Sequence, residues 1–158
     1  MRALLFYGGV MELVQTAMTQ LGVEEQPRGS NDGPKVRQYL QAVGINYPAA
    51  WCMAFVYWCA QRAAEETGGA NPLLKTGGVL RQWNERQALR VSVPQPGDVF
   101  IMDFGKGLGH TGIVERVDGD KLLTIEGNTN AGGGREGYAV CRRVRSAKLC
   151  KGFLRVGL

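Results

Sequence analysis

An α+β fold is predicted, with helices in the first half of the chain packed on an antiparallel β-sheet in the second. Three observations carry it. Apolar residues recur at helical spacing as far as about residue 87. From Val91 onward, short alternating segments between turn residues replace them. The 23 glycines are spread along all 158 residues rather than gathered in a repeat, which favours many turns over a helical bundle. At 44% hydrophobic residues the chain can bury a core, and with no repeat and no linker it reads as one domain over residues 1–158.

Val14, Ala17, Met18 and Leu21 follow the i, i+3, i+4, i+7 rule, so residues 11–21 read as an amphipathic helix stopped by Gly22. Residues 26–33 form a loop. Pro34 suits the first position of a second helix, with Val36, Leu40 and Val43 inward and Gly44 ending it. A third helix is expected from about Ala49 to Glu66. Its first half, Trp51 to Ala60, is apolar all round apart from the Tyr57 hydroxyl and the thiols, which marks a buried helix. A short fourth helix follows over 79–87. Pro94 to Gly97 is a turn and Val99 to Met102 a strand. Residues 110–117 and 121–126 alternate around Asp118-Gly119-Asp120, as a hairpin does. Residues 128–137 make a glycine-rich loop. A second hairpin is expected from 138–144 and 149–156.

The net charge of +5 attracts anionic polymers in general and does not choose among nucleic acid, membrane and cell wall. Arg142, Arg143, Arg145, Lys148 and Lys151 cluster on the last predicted hairpin, where basic residues commonly guard an edge. Nucleic acid is therefore not expected as a partner, although the cluster could face an anionic wall polymer. No apolar run approaches the roughly 18 residues of a membrane span, so no membrane insertion is expected. The amino end lacks an export signal's apolar region and cleavage site, so synthesis in the cytoplasm without a standard signal is expected. Cys52, Cys59, Cys141 and Cys150 show no paired CxxC spacing, and no metal is expected. Cys141 and Cys150 could oppose each other across the last hairpin, which leaves a disulfide open.

Cys52 falls in the first turn of the buried helix. The partial positive charge and free amides there favour thiolate over thiol and can stabilise an oxyanion. A buried free cysteine is otherwise an ordinary small core residue, and Cys59, two turns deeper, reads as one. His110 is the only histidine. Gly109 and Gly112 would leave space beside its ring for a thiol or substrate. A three-residue loop at 118–120 pairs Val117 with Lys121. It then sets Gly112 against Glu126 and His110 against Asn128, all on one face, whereas a two-residue loop reverses that parity. In the first register Glu126 or Asn128 can orient the imidazole. Of the rival carboxylates, Glu115 has the wrong parity and Asp103 lies in another segment.

These pieces together resemble the CHAP family, the cysteine- and histidine-dependent amidohydrolases/peptidases. The resemblance rests on Trp51-Cys52-Met53-Ala54-Phe55-Val56-Tyr57-Trp58-Cys59, Pro96-Gly97-Asp98-Val99 and Gly109-His110-Thr111-Gly112-Ile113-Val114. It continues in Ile125-Glu126-Gly127-Asn128-Thr129 and Gly152-Phe153-Leu154-Arg155-Val156, with Gly29-Ser30-Asn31 upstream. It implies a papain-like fold and hydrolysis of amide bonds in bacterial peptidoglycan. By position, Cys52 would be the nucleophile, His110 the general base, Glu126 the orienting carboxylate and Asn128 a further polar group of the site. Trp51, Asn31 and Gly109 are candidate substrate contacts, with core packing the rival reading for Trp51. Acidic residues that bind calcium in some members have no counterpart in 44–51, and no cofactor is expected. Members without an export signal need delivery, for instance by a phage holin or a contact-dependent secretion machine, and an immunity protein is a conceivable partner. The site of action would be the wall, in the periplasm or outside the cell. Two alternatives stay open: a thiol amidase acting on a small amide or a protein, and an inactive wall-binding module.

Overall fold

In a computed structural model, which describes residues 8–129 and 137–158 (side chains from residue 12 onward), four helices precede and cover a six-stranded antiparallel sheet. Helix α1 spans Gly8–Thr19, α2 Pro34–Ala42, α3 Cys52–Thr67 and α4 Val79–Glu85. The helix expected over 11–21 thus begins and ends earlier. Its inward stripe is Leu13, Val14 and Ala17, while Met18 is 41% exposed, because Leu13 and Ala17, four apart, centre the buried face. Pro34 opens α2 as expected, and Val36, Tyr39 and Leu40 are its buried residues. Helix α3 ends where Gly68 adopts the left-handed conformation at φ 71°, a cap that side chains with a Cβ resist. A 3₁₀ turn at Gln87–Leu89 follows α4.

Strands β1 (Arg90–Val91), β2 (Val99–Gly105), β3 (Leu108–Asp118), β4 (Lys121–Thr129), β5 (Ala139–Ser146) and β6 (Gly152–Leu154) take the order β1-β6-β2-β3-β4-β5. The second predicted hairpin is therefore corrected. β5 pairs with β4, while β6 crosses to the other side of the sheet and lies between β1 and β2. There Phe153 pairs with Phe100 and Leu154 with Val99, burial that a β5 neighbour could not supply. With β5 and β6 apart, Cys141 and Cys150 do not face each other across a hairpin, and both thiols are free.

The β3–β4 hairpin departs from the reading in an instructive way. Asp118 pairs with Lys121, so the loop is Gly119-Asp120, two residues and not three. That parity continues through Arg116 and Leu123. A bulge at Glu115 then inserts one extra residue, after which Val114 pairs with Thr124 and Ile113 with Ile125. The one-residue shift of a bulge cancels the one-residue difference in the loop. His110 and Glu126 consequently share a face despite the shorter turn.

The main core joins the helices to Val99, Ile101, Ile113, Ile125 and Leu154 of the sheet, with Met53, Phe55, Val56 and Cys59 of α3 at its centre. Phe100, Met102, Val114, Leu122 and Phe153 form a second, smaller cluster. The turn motif at 96–99 is structural. Buried Asp98 receives both arms of Arg155, at 3.0 and 2.9 Å, and the Gln95 amide at 2.7 Å, tying the entry of β2 to the chain beyond β6.

Candidate active site

Cys52 is the first residue of α3, and its N-cap, Trp51, makes no side-chain capping bond. The first amides of the helix are therefore left for an anion placed beside the thiol. The helix start is held from behind. Trp51 is fully buried, its indole N–H donates to Glu25 Oε1 at 2.9 Å, and its ring stacks on Tyr39 at 5.7 Å between centroids. Glu25 Oε2 also accepts the Gly29 amide at 2.7 Å, so the loop at 26–33 is fastened to the residue before Cys52. Of the proposed substrate contacts, Trp51 is thereby corrected: a ring with no exposed surface packs in the core and offers no platform. Asn31 sits half-buried in the fastened loop with φ 54°. Glu25 was missed by the sequence reading, since its partner lies 26 positions away and no local pattern marks it.

His110 lies opposite Met102 on β2 and is fully buried beside Phe100, at 6.0 Å between ring centroids. Its Nε2 is 2.7 Å from Glu126 Oε1. An ionised carboxylate only accepts, so Nε2–H donates and the tautomer is set. Nδ1 makes no hydrogen bond of ordinary geometry to any described residue, and the Cys52 thiol acts on the same ring. With Nε2 held by the carboxylate, Nδ1 is the nitrogen left to serve the thiol. Burial opposes the charged ring, but hydrogen bonds and charge from Cys52 and Glu126 outweigh it, and the pKa is pushed up to about 9.

Glu126 is enclosed on every side. Oε1 accepts from His110 and from Arg145 Nη2 at 2.6 Å; Oε2 accepts from Arg145 Nε at 2.8 Å and the Thr124 hydroxyl at 2.6 Å. Burial would raise its pKa, but Arg145 and His110 pull it down to about 2. Arg145 was read as an edge charge. It is in fact largely buried, at 13% side-chain exposure, and reaches along the sheet from its pairing position opposite Leu122. The rest of the basic cluster is also dispersed: Arg142 forks onto Glu115, Lys148 faces Asp120 and Lys151 faces Asp103. Those pairs occupy both rival carboxylates.

The two glycines do not leave open space. A Cβ on Gly112 would stand 2.6 Å from Glu126 Cγ and 2.7 Å from Phe100 Cε2. A Cβ on Gly109 would stand 2.8 Å from the Met102 carbonyl oxygen and 3.1 Å from Val79. The expected gap beside the ring is corrected: protein fills the space that a side chain at either glycine would take. Asn128 is 1% exposed at φ 55°, and neither its side-chain oxygen nor its nitrogen has a partner among the described residues. It does not bond the His110 ring, whose Nε2 belongs to Glu126. The glycine-rich loop predicted after it falls largely on 130–136, outside the described residues. Among the described residues no group of three or more His, Cys, Asp or Glu could hold a metal ion, and no helix is long and apolar enough to cross a membrane.

A thiol at a helix start, a buried imidazole and a carboxylate bonded to that ring make up a cysteine–histidine–carboxylate site on an α+β scaffold. The CHAP domain model matches residues 43–128, more than half of the chain and all of that site, and the chain belongs to the CHAP family. The fold is similar to a crystal structure of Ly7917, with TM-score 0.55 and 22% identity over 94% of this chain and 62% of that one. It is likewise similar to a structure of Ly7917 with the hydrolyzing product of MDP, with TM-score 0.54 and 20% identity over 94% and 63%. The chain thus spans under two thirds of those proteins. No curated protein matches it.

Proposed function

We propose that the chain is a peptidoglycan hydrolase that cuts amide bonds of wall peptides by thiol acyl transfer. The observation that carries the reading is the buried His110 ring, held through Nε2 at 2.7 Å from the buried Glu126 carboxylate, on one scaffold with the Cys52 thiol at the start of α3. The family and the neighbour solved with the hydrolyzing product of MDP support wall material as the substrate.

The Cys52 thiol passes its proton to His110 Nδ1, and the sulfur attacks the scissile carbonyl carbon. The carbonyl electron pair moves to oxygen, beside the free amides at the start of α3. Collapse breaks the C–N bond, and His110 Nδ1–H gives its proton to the departing amine. Water then attacks the thioester and returns a proton to Nδ1, and C–S cleavage releases the carboxylic acid. Asn128 lends a further polar group to the site. The test is incubation of purified peptidoglycan with the protein and mass spectrometry of the released muropeptides. New amino and carboxyl ends that vanish in Cys52→Ala are expected, and their position separates amidase from endopeptidase action. Unchanged release by Cys52→Ala would refute the thiol mechanism. Binding to the wall without release would instead indicate an inactive wall-binding module, and cleavage confined to small amides or proteins a different substrate.

A further inference from the structure

Glu126 is fully buried, and in the cycle above its neighbour His110 alternates between cation and neutral ring. Whenever the ring is neutral, the carboxylate would be a buried anion without a counter-ion unless another charge stood by, and an isolated buried carboxylate takes up a proton. Here it would take the proton meant for the leaving group. Arg145 cannot lose its charge, and it binds both carboxylate oxygens, at 2.6 and 2.8 Å. Together with Thr124 and His110 it gives each oxygen two donors, so the carboxylate can neither rotate away from Nε2 nor find a lone pair free for a proton.

We propose that Arg145 is a positioning residue, which keeps Glu126 charged and aimed at His110 through both protonation states of the ring. The inference rests on the thiol-hydrolase reading but concerns an arginine outside the cysteine–histidine–carboxylate set. It acts from β5, whose pairing with β4 brings it within reach. Thr124, on the same strand as Glu126 and two positions before it, completes the cage from the other side.

The experiment compares wild type with Arg145→Met, Arg145→Gln and Arg145→Lys by two readouts across pH. One is turnover on purified peptidoglycan; the other is the rate of Cys52 alkylation by iodoacetamide, followed by mass spectrometry. Loss of the cation should lower kcat by roughly 10–100-fold, the usual effect of removing a partner behind a reacting group, with KM unchanged. It should also move the acid limb of both profiles upward by roughly 1–3 pH units, as Glu126 begins to protonate there. Arg145→Lys should return the limb towards its original place while recovering only part of kcat, since an ammonium cannot fork. Circular dichroism establishes that each variant is folded, and Arg145→Gln, which keeps two N–H donors, carries the limb test if Arg145→Met does not fold. Reduced amplitude with limbs unmoved, or wild-type profiles in Arg145→Met, would overturn the proposal. Wild type that alkylates at Cys52 yet releases nothing from peptidoglycan would sink the substrate reading alone, and the alkylation profiles would still decide the role of Arg145.

Discussion

The Trp51 indole N–H donates to Glu25 Oε1 at 2.9 Å, with both residues buried. This bond links the loop before α2 to the residue that precedes the thiol. Removing the carboxylate in Glu25→Ala would strand the indole N–H and the Gly29 amide, costing about 1–3 kcal/mol for a buried donor left unpaired. Urea denaturation should show that loss, with a fall in turnover as Trp51 relaxes. Wild-type stability would mean that the bond contributes nothing net.

Gly112 tests how closely Glu126 is packed. Any side chain there meets Glu126, Phe100 and the Ile125 carbonyl oxygen, at 2.6, 2.7 and 3.0 Å from the added Cβ. Gly112→Ala should lose about 1–3 kcal/mol by overpacking. It should lose turnover more severely, because the atom it strikes, Glu126 Cγ, carries the carboxyl group bonded to His110. Gly119→Ala, at an open position with φ 57°, should affect stability alone. Equal activity in Gly112→Ala and wild type would contradict the geometry.

Thiol reactivity should be selective. Cys59 is fully buried, and burial pushes its thiol well above the usual range; burial likewise pushes Cys150 up to about 11. Iodoacetamide at neutral pH should modify Cys52 before either of these, read by peptide mapping, and His110→Ala should slow that reaction. Faster labelling of Cys59 than of Cys52 would argue against an activated thiol.

The pH dependence follows from opposite shifts in a coupled pair. The His110 pKa is raised from 6.5 to about 9, so its contribution to stability is complete below 6.5 and lost as pH rises through about 9. Glu126 is lowered from 4.5 to about 2, so its contribution is complete above 4.5 and lost as pH falls through about 2. Thermal unfolding should therefore show the pair's contribution whole between 4.5 and 6.5 and declining on both sides. Turnover should fall above about pH 9, where the ring no longer carries the proton for the leaving amine. His110→Gln should remove the alkaline decline in stability; its persistence would assign that decline to other groups.

Legibility in the sequence follows the range of the interactions. The helices were readable because each records a local choice: Pro34 opens α2, Gly68 ends α3, and the apolar run after Trp51 makes α3 a buried helix. The shared face of His110 and Glu126 was reached through a three-residue loop, whereas the protein combines a two-residue loop with a bulge at Glu115. Alternation along β3 and β4 carries the parity at the site but does not reveal where an extra residue is inserted.

The residue types along the chain by themselves determined that a thiol would stand at a helix start and that the sole imidazole would lie on a strand, two positions before Gly112. Those facts depend on neighbours within a few residues. Only the tertiary structure decided that Arg145 serves Glu126 rather than solvent, that Glu25 anchors Trp51, and that β6 leaves β5 to pair with β2. Each of these joins segments far apart in the chain. Such pairings are chosen by how much apolar surface and how many buried charges the whole fold satisfies at once, a sum that no local window contains.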